Sequence, residues 1–220
     1  MEYLAVNFIE YASIPVILAA IYAGFLYHRL VTEMRILSYF IFLSAAIELV
    51  SKVMWYLKEN NLRLLHLYVL LGFVLLAWFY KTILKGFIAP KLIGGVTIGF
   101  VLFTLINSLF FQSLDTFNSV ALTVQAVLMI ILCVFTFLVL MNDIVREERQ
   151  GLFSSLNWIN SGLFLYYLSS LMVFYIGNQF IQFYTSLTNQ YLWSMHSFFS
   201  MLMYVCLMVG LWKSPRRLNS

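Results

Sequence analysis

The sequence predicts an all-α integral membrane protein with seven transmembrane helices, its N-terminus outside and its C-terminus cytoplasmic. Composition, recurring long apolar runs and a one-sided distribution of basic residues each point there. Hydrophobic residues make up 63% of the 220 positions, charged residues only 10%, and the mean hydropathy is +0.91. A soluble domain carries about 25% charged residues, so this chain cannot cover its own surface in water and requires lipid as solvent. Aromatic residues, at 18% of the chain, suit lipid-facing packing and interfacial belts.

A helix needs about 20 residues to cross the hydrocarbon of a bilayer. Apolar runs of that length cover 8–28, 35–58, 62–85, 91–112, 117–141, 153–178 and 189–212, as one domain over 1–220. The breaks between them are polar or turn-forming: His28 to Arg35, Lys58-Glu59-Asn60-Asn61, Gly86 to Pro90, Gln112 to Asp115, Asn142 to Gly151, and the uncharged Gln179 to Asn189. Pro15 falls inside the first run and is expected to bend it. What remains suffices for short loops, with no room for a soluble kinase, nuclease or binding domain. The N-terminus lacks the basic region and cleavage site of a signal peptide, so the first run reads as a retained span.

Direction follows from Lys and Arg, which favour cytoplasmic loops. With the N-terminus outside, the cytoplasmic segments hold Arg29, Arg35, Lys81, Lys85, Lys91, Arg146, Arg149, Lys213, Arg216 and Arg217. The outer side holds only Lys58 and Arg63, with Lys52 just inside the second span. The net charge of +4 therefore belongs to membrane edges, and it implies no nucleic-acid partner. The expected partner is the lipid bilayer of the plasma (cell inner) membrane, and a homo-oligomer is compatible with the pattern.

Polar side chains inside a bilayer cost about 2.5–3.5 kcal/mol near a helix centre and tend to face the bundle interior. Their depth is the most informative functional signal. At about 1.5 Å rise per residue, Glu48 lies about 20 Å from the inner edge at Arg35, in the outer half of span two. Lys52 follows at i+4 on the same face, so the two can neutralise each other as an internal ion pair or serve a ligand. His66 sits about one turn into span three, and His196 about two turns into span seven, both from the outer side. Each is a packing residue or a ligand contact, and with Glu48 they form a metal or proton site only if three helices converge. Asn107, Gln125 and Trp193 share the outer depth, and Glu10 and Tyr11 mark the mouth of span one. These residues predict an outward-opening polar pocket, with Glu48, Lys52, His66, Asn107, Gln125, Trp193 and His196 as ligand-binding candidates.

In the inner half, Asn157, Asn160, Ser161 and Gly162, followed by Tyr166, Tyr167, Ser169 and Ser170, predict close helix packing with interhelical hydrogen bonds. A docking segment beside the mixed-charge loop 143–149 is the alternative. Cys133 and Cys206 lie within apolar runs and read as small buried hydrophobes.

Several seven-helix functions lack their residues here. A covalently bound retinal needs a lysine in the middle of the seventh span, whereas the first lysine there is Lys213 at its inner end, so no cofactor is expected. The Asp-Arg-Tyr and Asn-Pro-x-x-Tyr signatures of G-protein-coupled receptors are absent: span three ends Trp78-Phe-Tyr-Lys81 and span seven has no proline. A membrane metal hydrolase would need several clustered histidines, and His28 lies at the face opposite His66 and His196. No catalytic residue is assigned.

The stretch Asn157-Trp-Ile-Asn-Ser-Gly-Leu-Phe-Leu-Tyr-Tyr-Leu-Ser-Ser170, with Glu48 and His66-Leu-Tyr68, resembles small uncharacterised bacterial (Bacteroidetes-type) seven-transmembrane-helix proteins, often encoded near two-component sensor kinases. The resemblance implies a sensory or accessory role with a membrane sensor kinase as partner, and carries over no catalytic residue. The sequence thus favours a receptor-like module that binds a small molecule or ion from outside. An ion-coupled transporter is the main alternative, ahead of a metal hydrolase or a structural subunit.

Overall fold

The computed structural model describes residues 11–142, 150–183 and 186–216, and the side chains of these except 176–189. The expectations for Glu10, for the loop 143–149 with Arg146 and Arg149, and for Arg217 lie outside the described residues. Helices account for nearly all that is described: α1 (Ser13–Leu26), closed by a 3-10 turn Tyr27–Arg29, α2 (Thr32–Tyr56), α3 (Leu62–Ile83), α4 (Pro90–Ile106), α5 (Ser119–Leu140), α6 (Gln150–Phe183) and α7 (Ser186–Lys213). A π-helical turn, Asn107–Phe111, extends α4. Among the described residues there is no strand, only two isolated bridges, Leu30 with Arg216 and Lys85 with Ile88.

Five of these helical stretches are long and apolar enough to cross a membrane: Thr32–Tyr56, Leu62–Ile83, Pro90–Phe111, Ser119–Leu140 and Gln190–Lys213. Ser13–Arg29 forms a shorter apolar helix. Helices suit such a solvent because they satisfy every mid-segment N–H and C=O internally. Their outward faces carry large apolar side chains, with Phe25 82%, Phe110 78% and Phe111 81% exposed. That surface is wetted by lipid, not water.

The helix ends follow local chemistry. Lys58 takes φ 60° as α2 ends, and the N–H groups of Lys58 and Glu59 return to the carbonyls of Trp55 and Met54 at 3.0 and 2.9 Å. This left-handed cap satisfies two orphan carbonyls, at the cost of a conformation that favours glycine. Gly86, at φ 97°, makes the turn between α3 and α4, and Pro90 opens α4 where a missing N–H loses nothing.

Pro15 is the third residue of α1 and lies four residues after Tyr11, which is itself helical, with a turn at Ala12 between them. The helical path is thus interrupted one turn before the proline, where its ring would meet the carbonyl of residue i−4. One expectation changes. The break expected over Gln179 to Asn189 shrinks. α6 continues to Phe183 and α7 resumes at Ser186, because uncharged Asn, Gln, Ser and Thr can stay helical where no Gly–Pro pair stops them.

The helices pack as a ring in the order α1, α2, α3, α5, α6, α7, closed by α7 against α1, while α4 lies outside it mainly against α3. The tightest seam joins α6 to α7. A Cβ on Gly162 would fall 2.5 Å from Cys206 Cβ, and one on Gly210 would fall 2.4 Å from Ile159 Cγ1. Ser155 Oγ donates to the Gly210 carbonyl at 2.7 Å across the same seam. With no hydrophobic force between helices in lipid, small residues and interhelical hydrogen bonds supply the association. The basic end is fastened by arginines. Arg35 donates to the carbonyls of Tyr27 and His28 at the end of α1, and Arg216 to those of Leu211 and Trp212 at the end of α7.

Gly162→Ala is expected to destabilise the protein by about 1–3 kcal/mol, the cost of overpacking. Gly94→Ala in α4, where an added Cβ meets nothing within 4 Å, is expected to be neutral or stabilising. Lys58→Gly should relieve the left-handed cap and stabilise by about 1 kcal/mol. Thermal unfolding in detergent distinguishes the three.

Candidate functional site

At the end of the ring opposite the arginine fastenings, the six helices enclose a partly open cavity of about 440 Å³. That volume falls within the ordinary range for small-ligand pockets, about 300–1,000 Å³. Every ring helix contributes to its lining: Val16 of α1, Ser44 and Glu48 of α2, Leu65 and Tyr68 of α3, Leu122 of α5, Tyr166 and Phe174 of α6, and Trp193, His196 and Tyr204 of α7. The peripheral α4 contributes none.

The lining divides by chemistry. Among the described residues Glu48 is the only acidic side chain on it, and no Lys or Arg shares the wall. A hydroxyl group of residues forms a second region, where Ser44 Oγ and Tyr68 OH lie 3.2 Å apart with the Tyr204 hydroxyl beside them. Aromatic rings form the third. The His196 ring is flanked by Tyr166, Phe174 and Trp193, with centroids 5.4, 5.3 and 5.8 Å away, and Phe117 meets Trp193 edge-on at 5.4 Å. Ser170 Oγ holds His196 Nδ1 at 2.9 Å and so fixes the ring's orientation.

Of the seven candidates, three line this cavity together: Glu48, Trp193 and His196. The other four are engaged elsewhere. Lys52 reaches across to Ser13 Oγ at the start of α1, and the Glu48–Lys52 ion pair does not form; among the described residues the ion pair within 4.0 Å is Arg63–Asp115. His66 is buried and uses both nitrogens, Nδ1 with Ser108 Oγ at 2.9 Å and Nε2 with the Thr116 carbonyl at 3.2 Å. Since a carbonyl only accepts, Nε2 carries a proton there. Asn107 donates to Gln112 Oε1 and Asn118 Oδ1 at 3.1 and 3.3 Å, bracing the π-helical turn against the start of α5. Gln125 Nε2 faces Tyr167 OH at 3.4 Å, on the α5–α6 interface. Glu48, His66 and His196 do not converge: among the described residues no three His, Cys, Asp or Glu side chains gather at a metal-holding distance.

Ser44, Tyr68, Phe174, Ser197, Ser200 and Tyr204 are absent from the sequence candidates. Tyr166 and Ser170, expected as packing residues of the inner half, stand at the cavity, the first on its lining and the second bonded to His196. The signal for this hydroxyl and aromatic lining is a helical stripe. Trp193, Ser197, Ser200 and Tyr204 recur at steps of four, three and four, and Ser44 stands four before Glu48, so each set shares one helix face.

Below the cavity the buried polar groups are satisfied by one another. Tyr80 OH donates to Asn160 Oδ1 at 3.0 Å and contacts Cys133 Sγ at 3.1 Å, and Asn160 Nδ2 donates to the Cys133 carbonyl at 3.0 Å. This triangle ties α3, α5 and α6, as the expected interhelical role of Asn160 requires. Cys133 and Cys206 are both buried and unpaired as a disulfide.

At the mouth, Arg63 Nε meets Asp115 Oδ1 at 2.8 Å and ties the first turn of α3 to the loop before α5. The guanidinium holds the Asp115 carboxyl below the usual carboxylate range. The pair's contribution is thus present above that range and is lost as pH falls through the depressed value. Both side chains are more than half exposed, so Asp115→Asn is expected to leave thermal stability at neutral pH nearly unchanged. His66→Ala, by contrast, removes two bonds of a buried side chain, to the π-helical turn and to the loop before α5, and should cost about 1–3 kcal/mol in the same unfolding measurement. No family model, no curated protein and no solved structure matches this chain.

Proposed function

We propose that the protein is a receptor-like or sensory membrane module that binds a small ligand in this cavity and signals through a membrane partner. The observation that carries the reading is the cavity's construction: one space is lined by all six ring helices and by three residues singled out by membrane depth, Glu48, Trp193 and His196. A ligand there touches every ring helix. Its binding free energy can bias their arrangement to the extent that it differs between two packings of the ring. The resemblance to small bacterial seven-helix proteins encoded beside sensor kinases supports such a kinase as the partner.

In this reading the chain crosses the cell inner membrane seven times, with the cavity outside and the C-terminus in the cytoplasm. The basic distribution supports that direction, since Arg35 and Arg216 fasten the end opposite the cavity. An Asn60→Cys variant should react with a membrane-impermeant maleimide in intact cells, and Phe87→Cys only after permeabilisation. The reverse result would overturn the orientation.

A second reading, a small-solute or ion-coupled carrier, is favoured by one observation. Buried polar groups continue beneath the cavity through Gln125–Tyr167 to Tyr80–Asn160–Cys133. Flux into proteoliposomes separates the two, because a sensor moves no solute. For the sensory reading, a ligand library screened by thermal shift should raise the unfolding temperature of the wild type, and Glu48→Gln with His196→Ala should lose that response. If both variants respond as the wild type does, the cavity is not the ligand site.

A further inference from the structure

We infer that the cavity takes a small organic cation, an amine or quaternary ammonium, between the Glu48 carboxylate and an aromatic wall of Tyr68, Tyr166, Phe174 and Trp193. The inference deepens the proposed function and rests on its reading of the cavity as a ligand site.

Charge decides the sign of the ligand. Among the described residues Glu48 is the only acidic one on the lining, and no Lys or Arg lines it. Lys52, one turn along α2, attracts Glu48 through space but hydrogen-bonds to Ser13 Oγ and makes no ion pair with the carboxylate within 4.0 Å. Among the described residues Glu48 accepts no hydrogen bond and joins no ion pair, although it is half-buried in an apolar bundle. A carboxylate removed from water without a donor is costly. An anionic ligand would add repulsion and find no fixed positive charge. A neutral apolar ligand would displace water from the carboxylate and leave it unpaired. A cation supplies the missing partner.

The rings decide the cation's character. Electron-rich aromatic faces attract a cation within about 6 Å, Trp and Tyr more strongly than Phe. Here Trp193, Tyr166 and Phe174 are gathered on one wall by packing around the His196 ring, each with its centroid 5.3–5.8 Å from that ring, and all of them line the cavity. Such a wall suits an alkylated ammonium, whose charge is spread over methyl groups and which needs few hydrogen bonds. The hydroxyls of Ser44, Tyr68 and Tyr204 offer a separate polar region for a hydroxyl or carbonyl elsewhere on the same molecule.

The test uses the purified full chain in nanodiscs, with tryptophan fluorescence and isothermal titration as readouts. The probes are choline, its neutral isostere 3,3-dimethylbutan-1-ol, and butyrate. Choline should bind at least about tenfold more tightly than the isostere, with no binding of butyrate. Glu48→Gln, which keeps shape and removes charge, should bring choline to the level of the isostere. Trp193→Leu should weaken choline and remove most of the fluorescence change. Equal binding of choline and the isostere, or preferred binding of butyrate, overturns the cation assignment; the cavity reading then survives if Trp193→Leu still abolishes that binding. Silence of the wild type towards choline and a panel of alkylamines also overturns the cation assignment. The cavity reading falls separately, if no neutral or anionic library member produces a shift that depends on Glu48 or His196.

Discussion

The seam between α6 and α7 constrains the rest of the ring. Gly162 lies against Cys206 and Gly210 against Ile159 so closely that no Cβ fits at either glycine. In lipid, where helices gain nothing by hiding apolar surface from one another, such close approach is how backbone and side-chain contacts accumulate enough attraction to hold a bundle. Ser155 adds a hydrogen bond across the seam to the Gly210 carbonyl. From there α6 reaches α5 and α3 through Asn160, and α7 closes the ring on α1.

The same two helices behave differently towards their other ends. Where glycine, cysteine and serine face across the seam, the helices meet tightly. Where Tyr166 and Phe174 face His196, bulky rings meet tilted or edge to face at centroid distances above 5 Å and border the cavity. Side-chain size along one helix pair therefore grades from closed to open. The grading places a ligand-sized space at one end and close packing at the other.

Polar groups follow the same division. His66, Asn107, Lys52 and Asn160 bond to other helices or to neighbouring turns and act as fasteners. Glu48 has no such bond, and His196 is held through one nitrogen at the cavity wall. A polar residue in a membrane bundle is thus functional or structural according to whether the protein itself supplies its partner, and depth alone does not separate the two cases.

The sequence by itself determined the helical class, most of the helix boundaries and the turns at Lys58 and Gly86, because these depend on local period, length and backbone preference. It also marked the common level along the bundle at which Glu48, His66, Trp193 and His196 lie, since rise per residue is constant along a helix. Only the tertiary structure decided which of them meet. Rotation of each helix about its axis and the choice of neighbours are set by packing between segments far apart in the chain. That packing turned His66 towards Ser108 and Thr116, drew Lys52 to Ser13 instead of Glu48, and excluded α4 from the ring. It left Glu48, Trp193 and His196 around one cavity with a hydroxyl and aromatic lining from Ser44, Tyr68, Tyr166 and Tyr204.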